Sequence, residues 1–279
     1  MTFRDLHRPG QPFILANAWD VGSARMLVAM GAKTVATSSA GYAFTRGLPD
    51  GGRVGRAEAI AHAKDLADHV DVPVSADLED GYGPEPADCG DTVAEAARAG
   101  LAGCCIEDVG PDGTAYGFAA SVARVEAAAA AARRAPHDFV FCARADGVMT
   151  GAYDLDEAIR RLKAFEAAGA DVLYCPMPGD MAALARICAS VSAPVNALAA
   201  GPFAKVALSD FAEAGVARVS LGSALARATH RVIRDAGRAM FEAGDFTALG
   251  GIGSDEVDGM LENGALPMGN SRKPLDPED

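Results

Sequence analysis

The chain has 279 residues, half of them hydrophobic, which suits one large α/β domain, and β/α barrels commonly run to this length as a single unit. Lys and Arg number 25 against 38 Asp and Glu, a formal charge of −13, so the polyphosphate surface of DNA or RNA would be repelled and no nucleic-acid partner is expected. No apolar run approaches the roughly 18 residues of a membrane span, and MTFRDLHRPGQPF lacks a basic segment followed by an apolar core, so a cytoplasmic protein without a membrane partner is expected.

Short β-type runs then alternate with Ala-rich helical runs. Strands are expected at 13–18, 34–39, 72–77, 102–107, 139–144, 170–175, 193–198 and 217–222. Helices are expected up to about Met30, from about Arg56, from about Cys89, and near 119–134, 154–168, 180–190, 204–214 and 223–242. Gly100, Gly169 and Gly215 each follow a helical run and precede a strand, as left-handed helix caps would. Eight nearly all-apolar strands, each followed by a helix, predict parallel strands covered on both faces and closed into a (β/α)8 TIM barrel over residues 1–242. Residues 243–279, rich in Gly, Pro and acid with one helical stretch at 254–263, are too few for a domain and read as a C-terminal helical arm: a lid, a free end or a dimer arm.

The six cysteines, at 89, 104, 105, 142, 175 and 188, show no CxxC spacing and read as buried reduced thiols. Cys89 is the exception, lying in a Gly/Pro-rich loop before a predicted helix whose N-terminus would lower its pKa, but no His accompanies it and no nucleophilic role is assigned.

A barrel builds its active site at the C-terminal ends of its strands, so polar residues there carry a functional expectation. In order they are Asn17, Trp19 and Asp20; Ser38, Ser39 and Gly41; Asp77, Glu79 and Asp80; Glu107 and Asp108; Arg144 and Asp146; Asn196; and Ser220. Strand alternation points Asp77 and Glu79 toward the barrel axis and turns Leu78 and Asp80 away, with Glu107 reaching the same place from the next strand. Three inward carboxylates cannot all stay ionised without a cation, and an all-oxygen site suits Mg²⁺ or Mn²⁺. The alternative is an ion-pair network with Arg144, whose guanidinium is equally suited to bidentate binding of a substrate carboxylate. Asp80 and Asp108 read as structural, the turn TSSAGYAF as a place where backbone N–H groups approach an anion, and Trp19 as packing at the rim. The histidines at 7, 62, 69, 137 and 230 receive no catalytic role.

These residues resemble the isocitrate lyase and phosphoenolpyruvate mutase superfamily. The resemblance rests on NAWDVGSA (17–24), ATSSAGYA with GLPDGG after it (36–52), VSADLEDGYG (74–83), IEDV (106–109), ARADG (143–147) and RVSLGSALARA (218–228), and it covers about residues 10–240. It implies Mg²⁺ held by Asp77, Glu79 and Glu107, with Asp50 as an accessory carboxylate near the metal. It also implies a small carboxylic acid substrate bound by the backbone of Ser38, Ser39 and Ala40 and clamped by Arg144, with Trp19, Asp77 and Asn196 in the substrate-contacting set. Members act on α-oxo or α-hydroxy acids through a metal-bound enolate and usually form tetramers by exchanging a C-terminal helix, so a homo-oligomer, tetramer or dimer, is expected.

One loop departs from the pattern. Isocitrate and methylisocitrate lyases carry a Lys-(Lys/Arg)-Cys-Gly-His segment after strand four, whereas this chain reads EDVGPDGTAYGFAAS and places Ala115 near the cysteine position, where phosphonopyruvate hydrolases and phosphoenolpyruvate mutases would carry asparagine. Tyr116 is the nearest proton donor and joins Arg144 and Asp50 as a catalytic candidate. Oxaloacetate decarboxylase-type members likewise lack the cysteine, and solvent can protonate the enolate. The expected function is therefore Mg²⁺-dependent carbon–carbon cleavage of a small α-oxo or α-hydroxy di- or tricarboxylic acid, by decarboxylation or retro-aldol release of a pyruvate-like product. Carbon–phosphorus chemistry and non-catalytic oxo-acid binding are the alternatives. Tyr42, Phe44, Met177 and the loop 109–118 are expected to shape a modest, partly apolar substituent pocket.

Overall fold

The computed structural model describes residues 2–267; the last part of the expected arm, 268–279, lies outside them. Eight parallel strands close into a barrel in chain order: β1 (Phe13–Ala18), β2 (Val35–Thr37), β3 (Val74–Asp77), β4 (Gly103–Glu107), β5 (Val140–Arg144), β6 (Val172–Tyr174), β7 (Val195–Leu198) and β8 (Arg218–Ser220). Around them lie α1 (Val21–Ala29), α2 (Ser39–Thr45), α3 (Arg56–His69), α4 (Pro86–Arg98), α5 (Phe118–Arg133), α6 (Gly147–Thr150), α7 (Leu155–Ala168), α8 (Met181–Ser190), α9 (Leu208–Glu213), α10 (Ala224–Ala243) and α11 (Ser254–Asn263). The (β/α)8 TIM barrel expected from the alternation is the observed fold.

Local chemistry sets the helix ends. The side chains of Asp20, Asp154 and Asp180 accept from the backbone N–H groups of Ser23, Glu157 and Ala183 at the starts of α1, α7 and α8, satisfying donors that helix geometry leaves free. Gly100, Gly169 and Gly215 have φ of 83°, 101° and 85°, a left-handed conformation that lets the chain reverse toward the next strand. The main core lies between sheet and helices, where Leu162, Phe165 and Leu173 are fully buried, each worth roughly 1.5–3 kcal/mol of transfer free energy. A smaller cluster inside the barrel includes Phe3, Leu15, Val140 and Val172; Phe3 closes the N-terminal floor against the first residues of several strands.

Two boundaries and one turn differ from expectation, with consequences for the site. Ser38 and Ser39 do not continue β2: Ser38 N-caps α2, its Oγ accepting from Gly41 N at 3.1 Å. The third strand ends at Asp77 as expected, but the pleat does not continue to Glu79, which takes a left-handed φ of 45°. Helix α4 starts at Pro86, a residue suited to a first helical turn, so Cys89 lies within the helix and is fully buried. Burial pushes its thiol up to about 11, the reverse of the lowering expected at a helix start.

The eighth barrel helix stands apart. Only Ala226 and Ala236 of α10 are buried, while Val232, Ile233 and Phe241 are 54%, 68% and 89% exposed. The arm then returns, α11 packing on α1 of the same chain with Gly264 against the Arg25 backbone. Among the described residues no helix is long and apolar enough to cross a membrane.

Candidate active site

A cavity of about 300 Å³ opens at the C-terminal ends of the strands and descends into the barrel. Its walls bring together Ser38, Ser39, Ala40, Asp50, Asp77, Glu79, Glu107, Arg144 and Asn196, residues named above from the sequence.

Arg144 is the centre of charge. Its guanidinium meets Asp77 Oδ1 at 3.0 Å, Glu107 Oε2 at 2.9 Å and Asp146 Oδ2 at 2.5 Å, and its Cζ lies 5.3 Å from the Tyr174 ring centre. Asp77 Oδ2 accepts from both the backbone N and the Oγ of Ser39, at 3.0 and 2.8 Å, so this carboxylate joins the start of α2 to the arginine. The ion pairs with Arg144 expected as the alternative are thus formed.

Glu79 reaches the cavity differently from the strand alternation expected. The left-handed turn, not a continued pleat, aims its side chain inward, where Oε2 accepts from Gly52 N at 2.9 Å and ties down the loop that carries Asp50. Burial, and then the neighbouring charge of Asp77, pushes the Glu79 carboxyl up to about 7. Asp50 is raised by the same two causes, and burial also raises Glu107, with Arg144 opposing. Six carboxylates (Asp50, Asp77, Glu79, Asp80, Glu107 and Asp146) face two arginines (Arg144 and Arg218) around this cavity. That surplus of oxygen ligands and negative charge is the chemistry a hard divalent cation neutralises. Among the described residues, however, no three His, Cys, Asp or Glu side chains stand ready to grip a metal, and Asp77 and Glu107 are both paired with Arg144.

The loop after β4 folds as a small turn in which Val109 bridges Ala115 and Gly110 N donates to Thr114 O. It turns Val109, Gly110, Pro111 and Gly113 to the cavity, so no side-chain acid enters from it, and Ala115 is not on the wall. Nor is Tyr116: its hydroxyl donates to Asp80 Oδ2 at 2.6 Å and its ring lies under Arg124, with Cζ 4.0 Å from the ring centre. Expected as the proton donor, Tyr116 instead holds the loop to Asp80. Asp80 is buried, as a structural residue would be, although it also borders the cavity. Asp108 faces away and accepts from Tyr153, Arg161 and the backbone N of Asp146, which fixes the residue behind Arg144.

Trp19, expected among the substrate contacts, lies off the cavity wall against Gly41, its carbonyl bonded to His62. The substituent pocket is also rearranged. Tyr42 stacks on His62, Phe44 contacts His230 edge-on and Met177 faces Gly201; Met149, Thr150, Pro176 and Leu198 take their place.

Strand register explains the cavity's depth. Glu107, Arg144, Tyr174, Asn196 and Arg218 are lateral neighbours on successive strands. Lateral neighbours share a pleat face, so all five turn inward, and strand tilt makes the row descend from Glu107, the last residue of β4, to Arg218, the first of β8. Sequence reasoning missed Arg218, Ser75, Cys105 and Tyr174 on these walls; the signal was period two, since each lies two residues before a strand-end polar position or at the strand end itself.

A family model described as phosphoenolpyruvate phosphomutase matches residues 3–241. The chain belongs to that family. An uncharacterised protein of Mycobacterium tuberculosis is 38% identical over 224 residues, covering 80% of this chain and 82% of its own length. An oxaloacetate decarboxylase of Paraburkholderia xenovorans is 34% identical over 227 residues, covering 75% of this chain and 70% of the decarboxylase. A solved structure of a lyase/mutase candidate from Burkholderia cenocepacia superposes with a TM-score of 0.89 at 39% identity, covering 98% of this chain and 97% of that one. Other relatives are named probable 2-methylisocitrate lyase and 2,3-dimethylmalate lyase; with the family match and the decarboxylase relative, this is an enzyme, as the motifs implied.

Proposed function

We propose that this enzyme cleaves a carbon–carbon bond in a small α-oxo or α-hydroxy di- or tricarboxylic acid, with Mg²⁺ or Mn²⁺ held by Asp77, Glu79 and Glu107 and Asp50 beside them. The observation that carries the reading is the convergence of these four carboxylates with Arg144 on one cavity. When bound, the cation would polarise the 2-oxo group and stabilise the negative charge that develops on its oxygen as the bond breaks. Arg144, shared among three carboxylates, offers a planar fork to the substrate carboxylate. Ser39 holds Asp77 in place from the start of α2, where Ala40 lies beside the same cavity.

With glycine and proline turned to the cavity, the loop after β4 contributes no acid to it, and solvent is taken as the proton source. That favours decarboxylation or retro-aldol release of a pyruvate-like product, and the relatives named oxaloacetate decarboxylase and 2,3-dimethylmalate lyase support the same class. Turnover should be seen with oxaloacetate or 2-methylmalate-type acids, and Asp77→Ala or excess EDTA should lower it by at least about 100-fold. Activity that survives either refutes the reading. Carbon–phosphorus chemistry is the second reading, favoured by the family's own description, and phosphate release from phosphonopyruvate would establish it.

The exposed apolar residues of α10 also support a homo-oligomer in which this helix packs on a second copy. A groove of about 540 Å³ over β1, bordered by Ile14, Leu27, Met30 and Leu208, is an apolar seat of suitable character. Sedimentation that gives a monomer at micromolar concentration would exclude this assembly.

A further inference from the structure

The interior of a β/α barrel is usually filled by bulky branched side chains. Here strands β2 to β4 turn Ala36, Ser75 and Cys105 inward, and the space they leave runs down to Arg218. Arg218 is 3% exposed and, among the described residues, has no carboxylate within ion-pairing distance. Its bonds go to neutral groups: Nε donates to Asn196 Oδ1 at 2.8 Å, Nη1 to His7 Nε2 at 3.2 Å, and the guanidinium also donates to the Cys142 sulfur. The His7 contact must run in that direction, because His7 Nδ1 lies 3.0 Å from Phe3 O, which can only accept.

Isolating a guanidinium in the interior is unfavourable unless an anion joins it. Its bonds to Asn196, His7 and Cys142 leave part of its five N–H donors for a further acceptor. Ser75, on a wall of the same cavity, is 5% exposed and its hydroxyl has no hydrogen-bond partner among the described residues. Asn196 has its orientation fixed: Arg218 takes Oδ1, and Nδ2 donates to Ser220 Oγ at 2.9 Å, leaving a second N–H. A buried guanidinium with no carboxylate beside it, a hydroxyl bonded to no other group among the described residues and a fixed amide thus line the same depth of the cavity.

We propose a second anion subsite on the barrel floor, in which Arg218, Ser75 and Asn196 receive the distal carboxylate of a dicarboxylic substrate whose reacting end lies at the mouth. This rests on the carbon–carbon lyase reading for its mouth half only. Tyr174 and Asn196 separate the two arginines in the register row, so an acid with an extended chain reaches both and oxalate does not.

Calorimetric titration of the full chain with Mg²⁺, comparing oxalate with 2-oxoglutarate and 2-oxoadipate, tests this. Arg218→Gln should weaken the longer acids by roughly 10- to 100-fold, as loss of charge-assisted bonds does, and leave oxalate within about twofold. Equal weakening of long and short acids would assign Arg218 to scaffolding alone, and no weakening of either would remove it from binding; both overturn the proposal. Should that variant fail to fold, Ser75→Val, which loses the hydroxyl and fills the depth with a side chain strands accept, should abolish the preference for longer acids, and an unchanged preference would overturn the subsite. Long acids that bind in an Arg218-dependent way while oxalate does not bind would keep the subsite and refute the mouth reading instead.

Discussion

His7 offers a quantitative test of the polar chain beneath the site. Burial, reinforced by the nearby charge of Arg218, lowers its pKa from 6.5 to about 3, so the folded protein keeps it neutral where the unfolded chain protonates it. Between those values the unfolded state binds more protons, and stability therefore rises with pH and is lost as pH falls from about 6.5 toward 3. At pH 5 the gap is about 1.5 pH units below the unfolded value, which amounts to a loss of about 2 kcal/mol relative to neutral pH. His7→Gln keeps a donor for Phe3 O and an acceptor for Arg218 while removing the titration. Urea unfolding at pH 7 and pH 5 should show the parent losing about 2 kcal/mol more than the variant between the two conditions. Parallel losses in both proteins would refute the buried neutral imidazole.

Other substitutions separate positioning from chemistry. Tyr116→Phe removes the hydrogen bond to Asp80 and should cost about 1–2 kcal/mol of stability with activity retained within about threefold; activity that collapses at unchanged stability would return Tyr116 to a catalytic role. Gly147→Ala would put a methyl group into the Tyr153 ring, which holds Asp108 and through it the backbone of Asp146. Destabilisation of about 1–3 kcal/mol and weaker substrate binding are expected, and an unchanged melting temperature would contradict the packing. With its thiol raised to about 11, Cys89 should resist iodoacetamide at pH 8 in the folded protein and react on unfolding, as mass spectrometry of the labelled peptide would show.

Order and type of the elements were fixed locally. Helical and strand periods do not depend on distant contacts, and eight such units in one sheet close more readily than they stay open, so the barrel was expected from the pattern and is observed. The same alternation placed Asp77 on the inner face with Glu107 beside it, because pleat direction is a property of the strand itself, and position at a strand end marked Arg144 and Asn196. Boundaries failed where a neighbour decided. Ser38 caps a helix that begins one residue after it, and Glu79 enters the cavity on a left-handed turn secured by Gly52, a residue 27 positions earlier.

Which side chains face one another was decided by the closed barrel alone. Tyr116 sits beside Ala115 in sequence, yet its hydroxyl goes to Asp80, 36 residues away, because the small turn of the loop leaves glycine and proline on the cavity side. The row from Glu107 down to Arg218 exists only once five strands are in register. Local sequence fixed the inward direction of each side chain, but tilt and register, which are properties of the closed sheet, set its depth.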